Sequence, residues 1–376
     1  MKIAITTVAA ALFVSIVRAT AASETGAPAP VAPRLLSQTG LYADVAALKI
    51  DARNRTFSPQ YPLWSDGATK RRWVRLPAGS QINVADLDKW ELPVGTKFWK
   101  EFSINGRKVE TRFLWQTRKN HWVFASYAWN DAQTDAVLAS SDGLATIAEV
   151  ETGKRHSIPS VSECRACHDS KRTEILGFNA LQLSTDRDPN ALHADALTSG
   201  MITLKTLNDE HLMAPPRPEL VTNPPRIAAA SPATRTALGY LSANCGNCHN
   251  RDSSIASLGL DLKHPVTPQR RDASSESPGC TPALATTVGQ RGHWVVPDAQ
   301  EASRIINPGH PESSALIRRL KSRRPISQMP PIGTVVVDRQ AVDLLTSWVR
   351  NNADEITARC GSQSATETRG HGELFF

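Results

Sequence analysis

Beyond its first 21 residues the chain has no apolar stretch long enough to cross a bilayer, so no membrane span is expected in the mature chain. Methionine is scarce, four in 376 residues, and only Met201, Met213 and Met329 stand away from the start. Cysteine is scarce as well, six in all, and none lies near residues 19–21, where lipid attachment would need one. Proline is plentiful: 25 residues predict long irregular connections in place of continuous helix. Hydrophobic content of 40% with 21% charge is that of an ordinary globular protein. The length suggests two or three domains at roughly 150 residues each.

The opening residues read as a cleaved leader. Lys2 supplies a thin positive start, Ile3 to Val17 are mostly apolar, and Ala19-Thr20-Ala21 offers an A-x-A cleavage site. Arg18 at the end of that run argues against a retained anchor. Removing 1–21 takes away Lys2 and Arg18 and lowers the formal charge from +7 to +5. Export disfavours nucleic acid as a partner. Basic residues do crowd at Lys70, Arg71, Arg72 and Arg75, and a solvated face is the favoured reading over a docking patch for an acidic redox partner.

Residues 22–38, with Ala27-Pro28-Ala29-Pro30-Val31-Ala32-Pro33, read as an extended linker. Residues 39–158 read as a β-rich module. Trp73–Leu76, Phe98–Phe102, Val109–Trp115 and Trp122–Tyr127 are short runs of strand formers separated by turn residues, and Asn105-Gly106 predicts a hairpin. Their spacing and aromatic content favour a β-sandwich or jelly-roll. The character then changes. Ser231-Pro232 predicts a helix start, and Asp338 predicts the N-cap of a helix with Val342, Leu345, Trp348 and Val349 on its apolar face. Residues 263–290 read as a polar insertion loop and 361–376 as a polar tail. The expected class is therefore α+β and multidomain, a β-sandwich-like module followed by a mainly α region.

Two motifs carry the chemistry. Cys164-Arg165-Ala166-Cys167-His168 and Cys245-Gly246-Asn247-Cys248-His249 are both CxxCH. That spacing puts two thiols one helical turn apart, able to add to the two vinyl groups of one porphyrin, with the adjacent His held as an axial iron ligand. Two copies behind a leader make a disulfide or zinc pair a poor alternative. Two covalent haem c groups are expected, with His168 and His249 as iron ligands. Their propionates would bring the loaded protein close to neutral.

For the second haem, Met329 in Gln328-Met329-Pro330-Pro331 is the expected sixth ligand, held by a stiff Pro-Pro loop. For the first, either His193 or Met201 could serve, with His211 and Met213 behind them, or the sixth position stays open. Leu176–Leu183 is expected to wall that pocket. Cys280 and Cys360 remain after the haem cysteines are assigned, and an oxidising compartment favours a disulfide between them.

Residues 231–353 resemble a class I cytochrome c domain: helix with a Gly-aromatic pair, CxxCH, Met-Pro-Pro loop, closing helix. The resemblance implies a close crossing of first and last helices, with Gly239, Tyr240 and Trp348 in that role. The insertion at 263–290 departs from the minimal family domain. More broadly the chain is similar to an uncharacterised group of bacterial dihaem c-type cytochromes, on Tyr61-Pro62-Leu63-Trp64-Ser65-Asp66-Gly67-Ala68, Ile158-Pro159-Ser160 and Leu176-Gly177-Phe178. This places a haem-one region at 159–228 and a cytochrome-like domain at 229–360.

The expected function is one-electron transfer in the periplasm between a dehydrogenase and a respiratory acceptor. A dihaem peroxidase-like enzyme with an open first iron is the rival, and a haem-wired binding or adaptor protein a third reading. Trp64, Asp66 and Lys70 are either a site in the β module or, as favoured, a structural turn whose polar groups bond locally.

Overall fold

The structure, a computed structural model, describes residues 30–168, 175–266, 280–295 and 302–360. The expected leader, residues 22–29 of the expected linker, the middle of the 263–290 loop and the tail lie outside the described residues. Contacts gather the described residues from 32 onward into one unit. The fold is mixed, with a multi-stranded antiparallel sheet in the N-terminal part and helices after it.

Six strands run in sequence order as an antiparallel meander: β1 Arg55–Thr56, β2 Thr69–Arg75, β3 Lys97–Ile104, β4 Arg107–Arg118, β5 His121–Trp129 and β6 Ala136–Leu138. The four aromatic-rich runs fall on β2 to β5. Asn105 and Gly106 close β3 onto β4 with φ of 50° and 75°, the doubly positive geometry that favours Asn-Gly. No second large sheet faces this one among the described residues, so the expected sandwich is not formed. The reason lies in the strands, which bury aromatics on both faces. Trp73, Trp99, Phe113 and Tyr127 pack against Leu36, Leu41 and Tyr42. Val74 and Phe98 pack on the other side against Ile175, Phe178, Leu183, Leu204 and Met213. Irregular chain and short helices therefore supply both covering layers.

A ribbon of β7 Leu144–Glu151 and β8 Lys154–Ile158 leads into α1, Val161–His168. After α2, Leu204–Asp209, come α3 Pro232–Asn244, α4 Pro282–Thr287, α5 Ala315–Lys321, α6 Arg339–Asn351 and α7 Ala353–Cys360. Ser231 caps α3 by accepting from the Thr234 N–H, and Asp338 caps α6 by accepting from the Ala341 N–H. The α6 residues Val342, Leu345, Trp348 and Val349 are buried with Leu238, Leu241 and Leu284 in one core. Cys280 and Cys360 form a disulfide that joins the start of α4 to the end of α7.

Helices α3 and α6 do pack on each other. Trp348 Nε1 donates to Thr234 Oγ1 at 3.0 Å and the Tyr240 hydroxyl donates to Asp338 at 3.1 Å. Gly239 has a different neighbour from the one the cytochrome resemblance implies. A Cβ there would sit 2.1 Å from the ring of Tyr61, so the close approach is to the β-rich segment.

Two variants test that contact. Gly239→Ala should cost about 1–3 kcal/mol by chemical denaturation, because backbone or ring must shift. In a Tyr61→Ala background the same change should become neutral or mildly stabilising, since alanine is the better helix former by about 1 kcal/mol.

Candidate functional site

The first CxxCH lies wholly within α1, so Cys164 and Cys167 share one helix face. The helix opens with a reciprocal cap. Ser160 Oγ accepts from the Glu163 N–H at 3.1 Å, and Glu163 accepts from the Ser160 N–H at 2.8 Å. The second CxxCH caps the end of α3, where the Cys248 and His249 N–H groups both donate to the Cys245 carbonyl. Asn244, just before it, accepts from the Trp64 N–H at 2.7 Å and anchors this end to the N-terminal segment.

Each motif opens onto a cavity. Cys245, Cys248, His249 and Met329 line one whose remaining walls are mostly apolar, including Leu258, Leu262, Trp294 and Leu316. His249 Nδ1 is buried there without a hydrogen-bond partner among the described residues. Burial, helped by Arg319, lowers the His249 pKa and keeps its imidazole neutral. Cys164, Cys167 and His168 line a second cavity, walled by Phe98, Leu114, Phe124, Ile175 and Leu176. The two cavities share Asn244, Cys248, Pro330 and Pro331. Cys248 of the second motif lines the first motif's cavity together with Cys164 and Cys167.

The structure thus brings Met329 to the cavity of His249. It does not bring His193 or Met201 to the cavity of His168. His193 Nε2 bonds to Asp338 at 2.9 Å and its ring lies 4.8 Å from that of Trp64. Met201 lines neither cavity, Met213 is buried in the core beside the sheet, and His211 is exposed. Of the Leu176–Leu183 segment, Leu176 lines the first motif's cavity, while Phe178 and Leu183 belong to the sheet core.

A buried polar chain holds these parts in place. Arg112 donates to Glu110 through Nε and Nη2, at 2.7 and 3.1 Å. Glu110 meets His156 Nε2 at 3.3 Å, and His156 Nδ1 meets Asp66 at 3.2 Å. Asp66 accepts from the Val335 and Val336 N–H groups at 2.8 and 2.9 Å. With a carboxylate on each ring nitrogen, His156 is held as the imidazolium. Burial works against that charge, but the bonds to Asp66 and Glu110 outweigh it and raise the His156 pKa. Burial likewise opposes the Glu110 charge, yet Arg112 and His156 bring its pKa down to about 2.

Two expectations change here. The bonds of Asp66 are not those of a local turn, since they reach the far end of the chain. The basic run is not a solvated face either. Arg71 is exposed, but Arg72 is 6% exposed and Arg75 bonds to Asn54, Gly40 and Asp51. Strand alternation sends these cations to two covered faces. Sequence reasoning misses the chain Arg112–Glu110–His156 and the row Arg72, Lys100 and Arg112. The available signal is charge at strand positions two removed from buried aromatics, as in Phe98, Lys100 and Phe102.

Comparison with protein-family models, curated proteins and solved structures finds no match to this chain. Among the described residues no cluster of three or more His, Cys, Asp or Glu side chains could hold a metal ion, and no helix is long and apolar enough to cross a membrane.

Glu110→Gln should destabilise the protein by about 3–5 kcal/mol, because it leaves Arg112 and His156 short of a buried partner. His156→Gln gives a pH signature. A raised folded pKa contributes stability that is complete below the unfolded value of about 6.5 and is lost as pH rises through the folded value. The stability gap between the natural protein and His156→Gln should therefore shrink as denaturation is repeated at rising pH above 6.5.

Proposed function

We propose that the chain is an exported dihaem c-type cytochrome that passes single electrons between redox partner proteins, a dehydrogenase on one side and a respiratory acceptor on the other. In this reading the region 229–360 is the class I-like cytochrome unit, and the β-rich part with the 159–228 segment builds the pocket of the first haem. A haem bound at each motif would supply a one-electron iron couple.

The observation that carries the reading is the composition of the cavity at the second motif. Two thiols for attachment, a neutral imidazole with an unpartnered buried nitrogen and a thioether all line one mostly apolar space. That Cys248 lines the cavity of Cys164 and Cys167 supports exchange within the chain, because groups attached at the two motifs would be held by residues of adjoining cavities. Arg319 and Arg323 hold the methionine loop. The Met329 N–H donates to the Arg319 carbonyl at 3.0 Å, and Arg323 Nη2 donates to the Val336 carbonyl at 2.8 Å. Asp66 holds the same loop from the other side.

A second reading has its own support. Among the described residues lining the cavity of the first motif there is no methionine and no histidine other than His168. An open iron there would admit a small ligand and favour an enzyme of peroxidase type.

Haem content by pyridine haemochrome should be two per chain when the protein is made with a c-type maturation system. It should fall to one in Cys164→Ser/Cys167→Ser and to one in Cys245→Ser/Cys248→Ser. A mature chain with no haem would sink the proposal. Carbon monoxide added to the reduced protein decides between the readings: no spectral change supports the relay, and a change in one haem supports the enzyme. Met329→Ala should add a carbon monoxide response that the natural protein lacks at its second haem.

A further inference from the structure

Three cations stand side by side on the sheet face that lines the cavity of the first motif. Arg72 on β2 is directly opposite Lys100 on β3, and Lys100 is directly opposite Arg112 on β4. All three line the cavity. Like charges in direct cross-strand register repel, so the row needs opposite charge to offset it. The protein's own acids serve only its two ends. Arg112 has Glu110, and Arg72 has Asp195 at 3.7 Å. The middle is left over. Among the described residues the Lys100 side chain makes no hydrogen bond or ion pair, and its ammonium lies 4.8 Å from the Phe102 ring. Glu163 is the one acid among the lining residues, and Ser160 already engages it through its N–H and hydroxyl. Burial, with Arg72, Lys70 and Arg112 acting in the same direction, pushes Lys100 well below the ordinary lysine range.

We propose that Arg72, Lys100 and Arg112 form a binding site for a carboxylate-type oxyanion inside the cavity of the first motif, with Lys100 as its central donor. Arg72 supplies a planar fork and the Lys100 ammonium a point charge, a donor set suited to carboxylate oxygens, while Arg112, whose Nε and Nη2 are engaged by Glu110, flanks them. The carboxylate comes from one of two sources: a propionate of a porphyrin held at Cys164 and Cys167, or a small diffusible anion. The first source rests on the dihaem reading and the second does not.

The test uses the full mature protein with its haem content counted first, as the natural form, Lys100→Met and Lys100→Arg. Formate is the diffusible probe, followed by thermal unfolding and visible spectra. Resonance Raman bands of propionate bending report the covalent source. If the anion is diffusible, formate raises the melting temperature of the natural protein. Lys100→Met then weakens that response about ten-fold or more, the worth of one charged hydrogen bond, and Lys100→Arg retains most of it. If the anion is a propionate, formate does nothing, and Lys100→Met shifts the propionate bands of one haem while Lys100→Arg shifts them less. Should Lys100→Met fail to accumulate, Arg72→Gln gives the same readouts. No formate response together with unchanged bands overturns the proposal. So does a gain of carbon monoxide binding in Lys100→Met alone, which would make the Lys100 amine an iron ligand. A protein that carries no haem defeats the dihaem reading, and the formate titration then decides the anion site by itself.

Discussion

The carboxylate of Asp66 is the point on which the architecture turns. One of its oxygens accepts two N–H groups from the irregular segment after the Met329 loop, and the other meets His156 on the hairpin that enters α1. A single side chain from the N-terminal part therefore sets the position of both functional segments. Its partner His156 passes the constraint to Glu110 and Arg112 on the sheet. Buried charges of this kind contribute little net stability, because desolvation offsets most of the attraction, but removing one member leaves the others uncompensated. Such a network specifies geometry more than it adds to stability. Here the geometry it specifies is the placing of α1 against the end of α3.

That placing explains a spacing that otherwise looks too short. Cys164 and Cys245 are 81 residues apart, less than two self-contained haem domains would need. The segment between the motifs does not build a second domain of its own. Phe178, Leu183 and Leu204 bury themselves on the sheet, and the cavity of the first motif is completed by strand residues Phe98, Leu114 and Phe124. The β-rich part is thus a wall of the site. The two cavities meet at Cys248 and at Pro330-Pro331, so the loop that brings Met329 to one cavity also lines the other.

Short-range signals are legible in the chain. The strands β2 to β5, the Asn105-Gly106 turn, the caps Ser231 and Asp338 and the apolar face of α6 are all written in residues within one element. The Cys280–Cys360 bond comes from counting. Long-range packing is not legible in the same way. Asp66 is written in a turn-like Ser-Asp-Gly, and nothing local says that its acceptors serve N–H groups 269 and 270 residues away. Gly239 has the setting of a helix-crossing glycine, yet its small size serves Tyr61. His193 has the residue type of a ligand, but Asp338, an N-cap recognisable for its own reason, claims it. The cationic row hides behind the rule that basic runs are solvated, which fails when both faces of a sheet are covered.

The central proposal is that each motif holds a haem and that the two, on adjoining cavities, act as one unit. Its most direct measurement is a stepwise reductive titration of the loaded protein, comparing the remaining oxidised haem with the same haem in a single-motif variant by electron paramagnetic resonance. Each haem's signal should depend on the redox state of the other, so that the half-reduced protein differs from either variant. A spectrum that is the plain sum of the two single-haem variants at every step would contradict it.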